Sequence, residues 1–157
     1  MHNLLALLCV SLMAAQQGTS FQTKEDSIRN TIHNIMNIAQ ITLVHIKKLK
    51  VHLPASQIEV PIPSIEGLTS ISHDLGLLDN ELQYPFTELL IQIQADVSSL
   101  EGRVRSLALS MGCSLQAKPA VKTGDSLFPD SHLYMTVIKV QHYLENLLLN
   151  KGKLKVC

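Results

Sequence analysis

The segment LIQIQADVSSLEGRVRSLALSMGC, which runs from Leu90 to Cys113, decides the fold of this chain of 157 residues. Its large apolar residues recur at spacings of three and four, which places them on one face of an α-helix. They are Leu90, Ile93, Val97, Leu100, Val104 and Leu107. Mostly polar residues lie between them, so we predict an amphipathic helix from about Thr87 to about Met111.

Three other segments show the same helical periodicity. The first predicted helix runs from about Asp26 to Lys50, the second from about Ile65 to Gln83, and the fourth from an N-cap at Asp130 or Ser131 to about Lys151. Their apolar stripes are Ile28, Ile32, Ile35, Ala39, Ile46 and Leu49; then Leu68, Ile71, Leu75, Leu78 and Leu82; then Leu133, Val137, Val140, Leu144, Leu147 and Leu148. Prolines separate the four segments, so the sequence predicts an all-α protein.

The lengths of the connections limit how the helices can be arranged. Residues 51–64 can extend to about 46 Å, enough to return along the first helix, which is about 36 Å long. The few residues around Pro85 cannot span such a distance, so the second and third helices must be antiparallel. The connection after the third helix is again long enough to return. We therefore predict an up-up-down-down four-helix bundle with two long crossover loops.

The N-terminus carries an apolar run, Leu4 to Ala15, followed at once by small and polar residues. The run is too short to cross a bilayer, which needs about 20 residues, but is typical of a secretory signal peptide. A buried N-terminal helix is the alternative interpretation. We expect residues 1–20 to be a signal peptide and residues 21–157 to form one extracellular domain.

Removal of the signal peptide would leave two cysteines, Cys113 and Cys157, of the three in the sequence. In an oxidising compartment one pairing is then possible, and two free thiols are the alternative. The two residues follow the C-terminal ends of the third and fourth predicted helices. A disulfide needs Cα atoms within about 7 Å of each other, which parallel helices provide. The predicted disulfide thus supports the same topology.

Composition and motifs argue against several functional classes. The 13 acidic residues balance the 13 lysines and arginines, so no strong field attracts nucleic acid or an anionic membrane. The run Asp130–His132 has the residue types of a catalytic triad, but a helix cap explains it fully. His45 and His52 have no third ligand nearby in sequence. We expect no enzyme, no metal, no other cofactor and no membrane insertion.

The third helix and the end of the chain resemble the leptins, in particular those of bony fishes. The matching residues are Ile91, Gln92, Ile93, Asp96, Leu100 and Cys113 in the helix, and Tyr134, Met135, Thr136 and Leu154 to Cys157 at the end. Leptins are long-chain four-helix cytokines, so the resemblance implies the same bundle. It also implies a secreted hormone, monomeric when free, that clusters a leptin-type class I cytokine receptor and triggers kinase-coupled signalling in energy balance.

The resemblance further implies two receptor-binding surfaces. The main surface would lie on the outer faces of the first and third helices, at Asn30, His33, Asn34, Gln92 and Ser99. The second would lie at the start of the fourth helix, at Ser131 and His132. Gly102 and Arg103 depart from the residues that leptins typically carry on this part of the third helix.

Three alternatives remain open from the residues themselves. On the third helix, a polar stripe lies beside the apolar one, and it is also typical of an ordinary solvated surface; its residues are Gln92, Asp96, Ser99 and Arg103. The aliphatic richness of the chain would suit a secreted lipid-binding protein with amphipathic helices, and a helical cytokine with a different receptor would share the fold. Against a plain wet surface, the stripe of Asn30, His33, Asn34 and Asn37 has little charge, as interface cores do.

Overall fold

The computed structural model describes residues 23–53, 59–83, 87–120 and 129–157. The regular structure in these ranges consists of helices without any strand: α1 Lys24–Lys50, α2 Leu68–Glu81, α3 Glu88–Ser110, α4 Pro129–Leu149 and a short 3-10 helix at Lys151–Lys155. The predicted all-α class is confirmed, whereas the predicted signal peptide lies outside the described residues. The chain divides into two units inside α1, between Thr31 and Ile32, and the packing described below is that of the second unit.

The core is formed by the apolar stripes of the four helices. All stripe residues predicted on the second and third helices are buried, as are Ile35, Ala39, Ile46 and Leu49 on α1 and Val137, Val140, Leu144 and Leu147 on α4. Ile32, Leu133 and Leu148 are half-buried at the edge of the core. Thr42 is also buried, and its hydroxyl donates to the Ile38 carbonyl at 2.7 Å, which satisfies the polar group inside the helix.

Two helix boundaries differ from the prediction. The fourth helix begins at Pro129, so Asp130 and Ser131 lie in its first turn rather than at its N-cap. Proline is well suited to the first helical position because it needs no hydrogen-bond acceptor there. The second helix begins at Leu68, three residues later than predicted, because its first turn is completed by another part of the chain.

That part is the C-terminal segment. The Leu68 amide donates to the Val156 carbonyl at 2.8 Å, and the Thr69 amide donates to a Cys157 backbone oxygen at 3.1 Å. These bonds supply acceptors to two of the amides that a helix N-terminus leaves without partners. Locally, the Ser70 hydroxyl accepts from the Gly67 amide at 3.2 Å. The C-terminal segment therefore adds to a local cap in stabilising the start of α2.

Contacts between side chains show that α2 and α4 are antiparallel. Glu81, at the end of α2, accepts from Lys139 at 3.0 Å in the first half of α4. Asp74, in the middle of α2, accepts from the Tyr143 hydroxyl at 3.0 Å, further along α4. Burial raises the pKa of Asp74, partly offset by the bond from Tyr143, and burial raises the pKa of Tyr143 as well. The phenol therefore keeps its proton and remains a donor to Asp74.

The other helix pairs complete the predicted topology. Gln94, near the start of α3, donates to Asp79 near the end of α2 at 3.5 Å, as antiparallel packing requires. His45, in the last third of α1, contacts Asp96 in the first half of α3 at 2.7 Å. Ile35, about three turns before His45, is fully buried. Antiparallel packing places it beside the C-terminal half of α3, whereas parallel packing would place it beyond the start of α3. The helices α1 and α2 therefore both run opposite to α3, and α4 runs parallel to α3. The up-up-down-down arrangement is confirmed.

The disulfide between Cys113 and Cys157 is present and joins the C-terminal ends of α3 and α4 across a Cα–Cα distance of 5.4 Å. A glycine brings Cys113 into position. Gly112 has a φ of +77°, the left-handed conformation that commonly ends helices. The Cys113 amide then donates to Ala108 at 2.9 Å, and the Gly112 amide donates to Leu109 at 3.1 Å. This turn directs the chain out of α3 towards the end of α4.

The second long crossover first runs along α2. Thr69 donates to the Ser114 carbonyl at 3.3 Å near the start of α2, and Lys118 contacts the buried Asp79 carboxylate at 2.6 Å near its end. Between them, Gly76 lets the crossover approach closely: a Cβ there would lie 2.9 Å from Pro119 Cδ. A glycine inside a helix lowers its stability by about 1 kcal/mol relative to alanine, and the close approach of the crossover explains this one.

A methyl group at Gly67 is expected to destabilise the protein. In Gly67→Ala the new Cβ would lie 2.5 Å from the Cys157 carbonyl carbon, a backbone atom that no side-chain rotation can move away. We expect the free energy of unfolding to fall by about 1–3 kcal/mol, measured by urea unfolding followed by circular dichroism.

Gly102→Ala is the matched control, because a Cβ there meets nothing within 4 Å on the exposed side of α3. This variant is expected to gain up to about 1 kcal/mol from helix propensity. A Gly67→Ala protein as stable as the unmodified one would show that the C-terminal segment does not pack closely on α2.

Candidate receptor-binding surfaces

A hydrogen-bonded group of three side chains joins α1 to α3 at the surface. His45 Nδ1 lies 2.7 Å from Asp96 Oδ2, and Gln92 Nε2 donates to Asp96 Oδ1 at 2.9 Å. Since an ionised carboxylate can only accept, Nδ1 of His45 carries the hydrogen. The His45 and Asp96 side chains are 22% and 12% exposed, so the group lies at the border between core and solvent. Both oxygens of Asp96 are thus bonded, one to each helix.

The antiparallel packing determines which residues surround this group. Residues one turn before His45 lie level with residues one turn after Asp96. Ile41 and Ser99 are therefore neighbours across the helix pair, and both are exposed. On the other side of the group, Lys48 lies level with Gln92, and both are again exposed. We call this surface the α1–α3 face: Ile41, His45 and Lys48 on α1, and Gln92, Asp96 and Ser99 on α3.

The α1–α3 face contains two of the five residues predicted for the main receptor surface, Gln92 and Ser99. His33 and Asn34 are also exposed on α1, but they precede His45 by about three turns, roughly 17 Å along the helix. They therefore lie level with the C-terminal half of α3 rather than beside Gln92. Asn30 is exposed on α1 within the unit that ends at Thr31.

Four residues of the α1–α3 face were not among the predicted receptor contacts: Asp96 on α3, and Ile41, His45 and Lys48 on α1. One signal was available, because Ile41 lies off the apolar stripe of α1 and is 51% exposed. A large apolar residue on the solvent side of a helix, next to amide and hydroxyl groups, is a common feature of interfaces. Val44, 52% exposed, is a second such residue on α1.

The second predicted surface lies on another helix. His132 is exposed in α4, and Ser131 precedes it in the first turn, where its side chain is outside the described residues. The Thr136 hydroxyl donates to the His132 carbonyl at 3.0 Å and lies 3.3 Å from Glu81 at the end of α2. This turn of α4 therefore contacts α2. The second predicted surface is thus separate from the α1–α3 face, whose residues lie on two other helices.

The described ranges of the chain contain no group of three or more His, Cys, Asp or Glu residues that could hold a metal ion. None of their helices combines the length and low polarity that crossing a membrane requires.

Comparison with known proteins gives a clear relationship. No protein-family model matches the chain. Leptin-B of Oryzias latipes is 51% identical to it over 158 aligned residues, and the alignment covers all of both chains. This similarity extends through all four helices and both crossovers, beyond the third helix and the C-terminal segment. The chain belongs to the leptin family, of the type found in bony fishes.

Proposed function

We propose that this chain is a secreted hormone that binds a leptin-type class I cytokine receptor through the α1–α3 face. Binding without chemistry would gather receptor chains and bring their associated kinases together, in the control of energy balance. Membership of the leptin family supports the hormone class. The observation that carries the choice of surface is the Gln92–Asp96–His45 group, which fixes α1 to α3 where Ile41, Gln92 and Ser99 are all exposed.

The size of a protein interface supports a single contact that includes the more distant candidates. His45 lies level with Asp96, and the two helices are antiparallel. Asn34 and Gln92 are therefore separated by roughly 22 Å, measured along the helix axes. A standard interface covers about 800 Å² on each partner, a patch roughly 30 Å across. His33 and Asn34 can therefore touch the same receptor domain as Gln92. Asn30 is proposed from the resemblance to leptins alone.

Secretion is part of the same proposal. Residues 1–20 would direct the chain to the secretory pathway and be removed near Ser20. The disulfide between Cys113 and Cys157 supports this, because such bonds persist in oxidising compartments. Sequencing the N-terminus of the protein released by transfected vertebrate cells would locate the cleavage site.

Binding to the receptor ectodomain tests the function directly. We expect the protein secreted by such cells to form a saturable complex with the ectodomain of a leptin-type receptor from a bony fish, measured by surface plasmon resonance. We also expect the circular dichroism spectrum of the same protein, recorded without lipid, to be that of a helical protein. If receptor binding is absent and helicity arises only with neutral vesicles, the chain is instead a lipid-binding protein. Folded protein that binds another cytokine receptor would also contradict the proposal.

The second surface makes a separate prediction. Replacing Ser131 and His132 together with alanine is expected to leave ectodomain affinity within about twofold, because α4 lies outside the α1–α3 face. We expect the response of a kinase-coupled reporter to fall by at least about tenfold, because a two-surface ligand that loses one surface no longer clusters receptors. Equal losses of affinity and signalling would contradict two separable surfaces.

A further inference from the structure

We propose that His45 and Asp96 position Gln92 for the receptor, and that protonation of His45 tightens this arrangement. His45 thereby acts as a pH-responsive positioning residue of the α1–α3 face. The coupling between the three side chains concerns the free protein. Its consequence for receptor binding rests on the function proposed above.

The geometry supports transmission from His45 to Gln92. Asp96 is only 12% exposed and uses one oxygen for each neighbour, at 2.7 Å to His45 and 2.9 Å to Gln92. Any change in the bond from His45 therefore alters the carboxylate that Gln92 depends on. With one amide hydrogen engaged, the carbonyl oxygen and the other amide hydrogen of Gln92 remain for a partner. An exposed glutamine is otherwise free to change rotamer, at a cost to binding.

Protonation of His45 would change its hydrogen bond to Asp96. An imidazole is the side chain whose charge ordinarily changes between pH 5 and 8. Neutral His45 donates a hydrogen bond to the ionised Asp96 carboxylate, whereas the imidazolium would add the attraction between two opposite charges to that bond. Acidification should therefore hold Asp96, and through it Gln92, more firmly against α1.

The charged surroundings of His45 are simple. Asp96 is its charged contact from α3. On α1 the nearest lysines in sequence are Lys47 and Lys48, both exposed. Between α1 and α4, Lys50 donates to Gln141 at 3.0 Å, and Gln141 donates to Glu145 at 2.9 Å. Lys50 lies five residues after His45 in the sequence. The carboxylate that pairs with His45 is thus the one that holds Gln92.

The test in the free protein is a titration followed by nuclear magnetic resonance. In ¹⁵N-labelled secreted protein, the side-chain amide signals of Gln92 should shift between pH 8 and 5 with the same midpoint as the His45 ring signals. In His45→Asn the amide nitrogen replaces Nδ1 as donor but does not titrate, so the Gln92 signals should stay constant. His33→Asn, at an exposed histidine on the same helix, should titrate like the unmodified protein. Gln92 signals that do not shift, or shift equally in His45→Asn, would overturn the coupling.

Receptor binding tests the positioning role. At pH 7.4 we expect His45→Ala to weaken ectodomain binding about fivefold to tenfold through faster dissociation, and His45→Asn to stay within about twofold. Circular dichroism should match the unmodified protein in both. Unchanged binding by His45→Ala, while substitutions at Gln92 and Ser99 abolish binding, would overturn positioning and leave the proposed function intact. If none of these variants affects binding, the proposed α1–α3 face itself is wrong.

Discussion

Replacing Cys113 and Cys157 with serine is expected to lower the free energy of unfolding by about 2–5 kcal/mol. The bridge closes a loop of 44 residues, and the chain-entropy relation assigns about 4 kcal/mol to a loop of that length. Its position adds to the expected loss, because the bridge also holds the backbone oxygens of Val156 and Cys157 against the start of α2. The melting temperature should fall by roughly 10–20 °C.

Thermal and urea unfolding, both followed by circular dichroism, would measure this effect. Ser114→Ala is a suitable control, since Ser114 is exposed beside Cys113 and accepts its bond from Thr69 through the backbone. It should remain within about 0.5 kcal/mol of the unmodified protein. A melting curve unchanged by the double serine variant would mean that the bridge does not stabilise the bundle.

Replacing Gln92 and Ser99 together with glutamate is expected to reduce receptor affinity by at least about 100-fold. Both side chains are exposed, so helicity should be retained. In the complex, each new carboxylate would be removed from water at a position that otherwise holds an amide or a hydroxyl. Charge without a partner at the centre of an interface costs several kcal/mol.

The matched control adds two carboxylates elsewhere. Ser114→Glu with Gln116→Glu places them on exposed residues of the second crossover, beside α2. Surface plasmon resonance should detect normal binding by this control and severely weakened binding by the first variant. Equal affinities for the two variants would show that the effect follows net charge rather than the α1–α3 face.

The sequence contains enough information for most of the fold. The apolar stripes identify the helices because burial requires one continuous face, and the short connection at Pro85 allows only one relative direction for α2 and α3. The cysteines then require parallel α3 and α4. The start of α2 was harder to predict from the sequence, because its first amides donate to Val156 and Cys157. No local pattern at Leu68 reveals an acceptor so distant in sequence.

The candidate site was predictable in part, for a related reason. Gln92 and Ser99 follow from the resemblance and from their position on a polar stripe beside the apolar stripe of α3. The residues of α1 that lie beside them depend on how far one helix is shifted along the other. The His45–Asp96 bond fixes that shift, and a tertiary contact of this kind has no signature in either helix alone. Ile41 therefore belongs to the α1–α3 face, although the sequence pattern favoured the amide-rich stripe around Asn34 on the same helix.

The attachment of the C-terminal segment to α2 also constrains the order of folding. Leu68 and Val156 are separated by more than half of the chain, yet their hydrogen bond completes the first turn of α2. During synthesis the first amides of α2 lack their acceptors until Val156 and Cys157 have emerged. Contacts so distant in sequence form slowly, since a large loop must close first. The beginning of α2 is thus expected to form late in folding, together with the disulfide between Cys113 and Cys157.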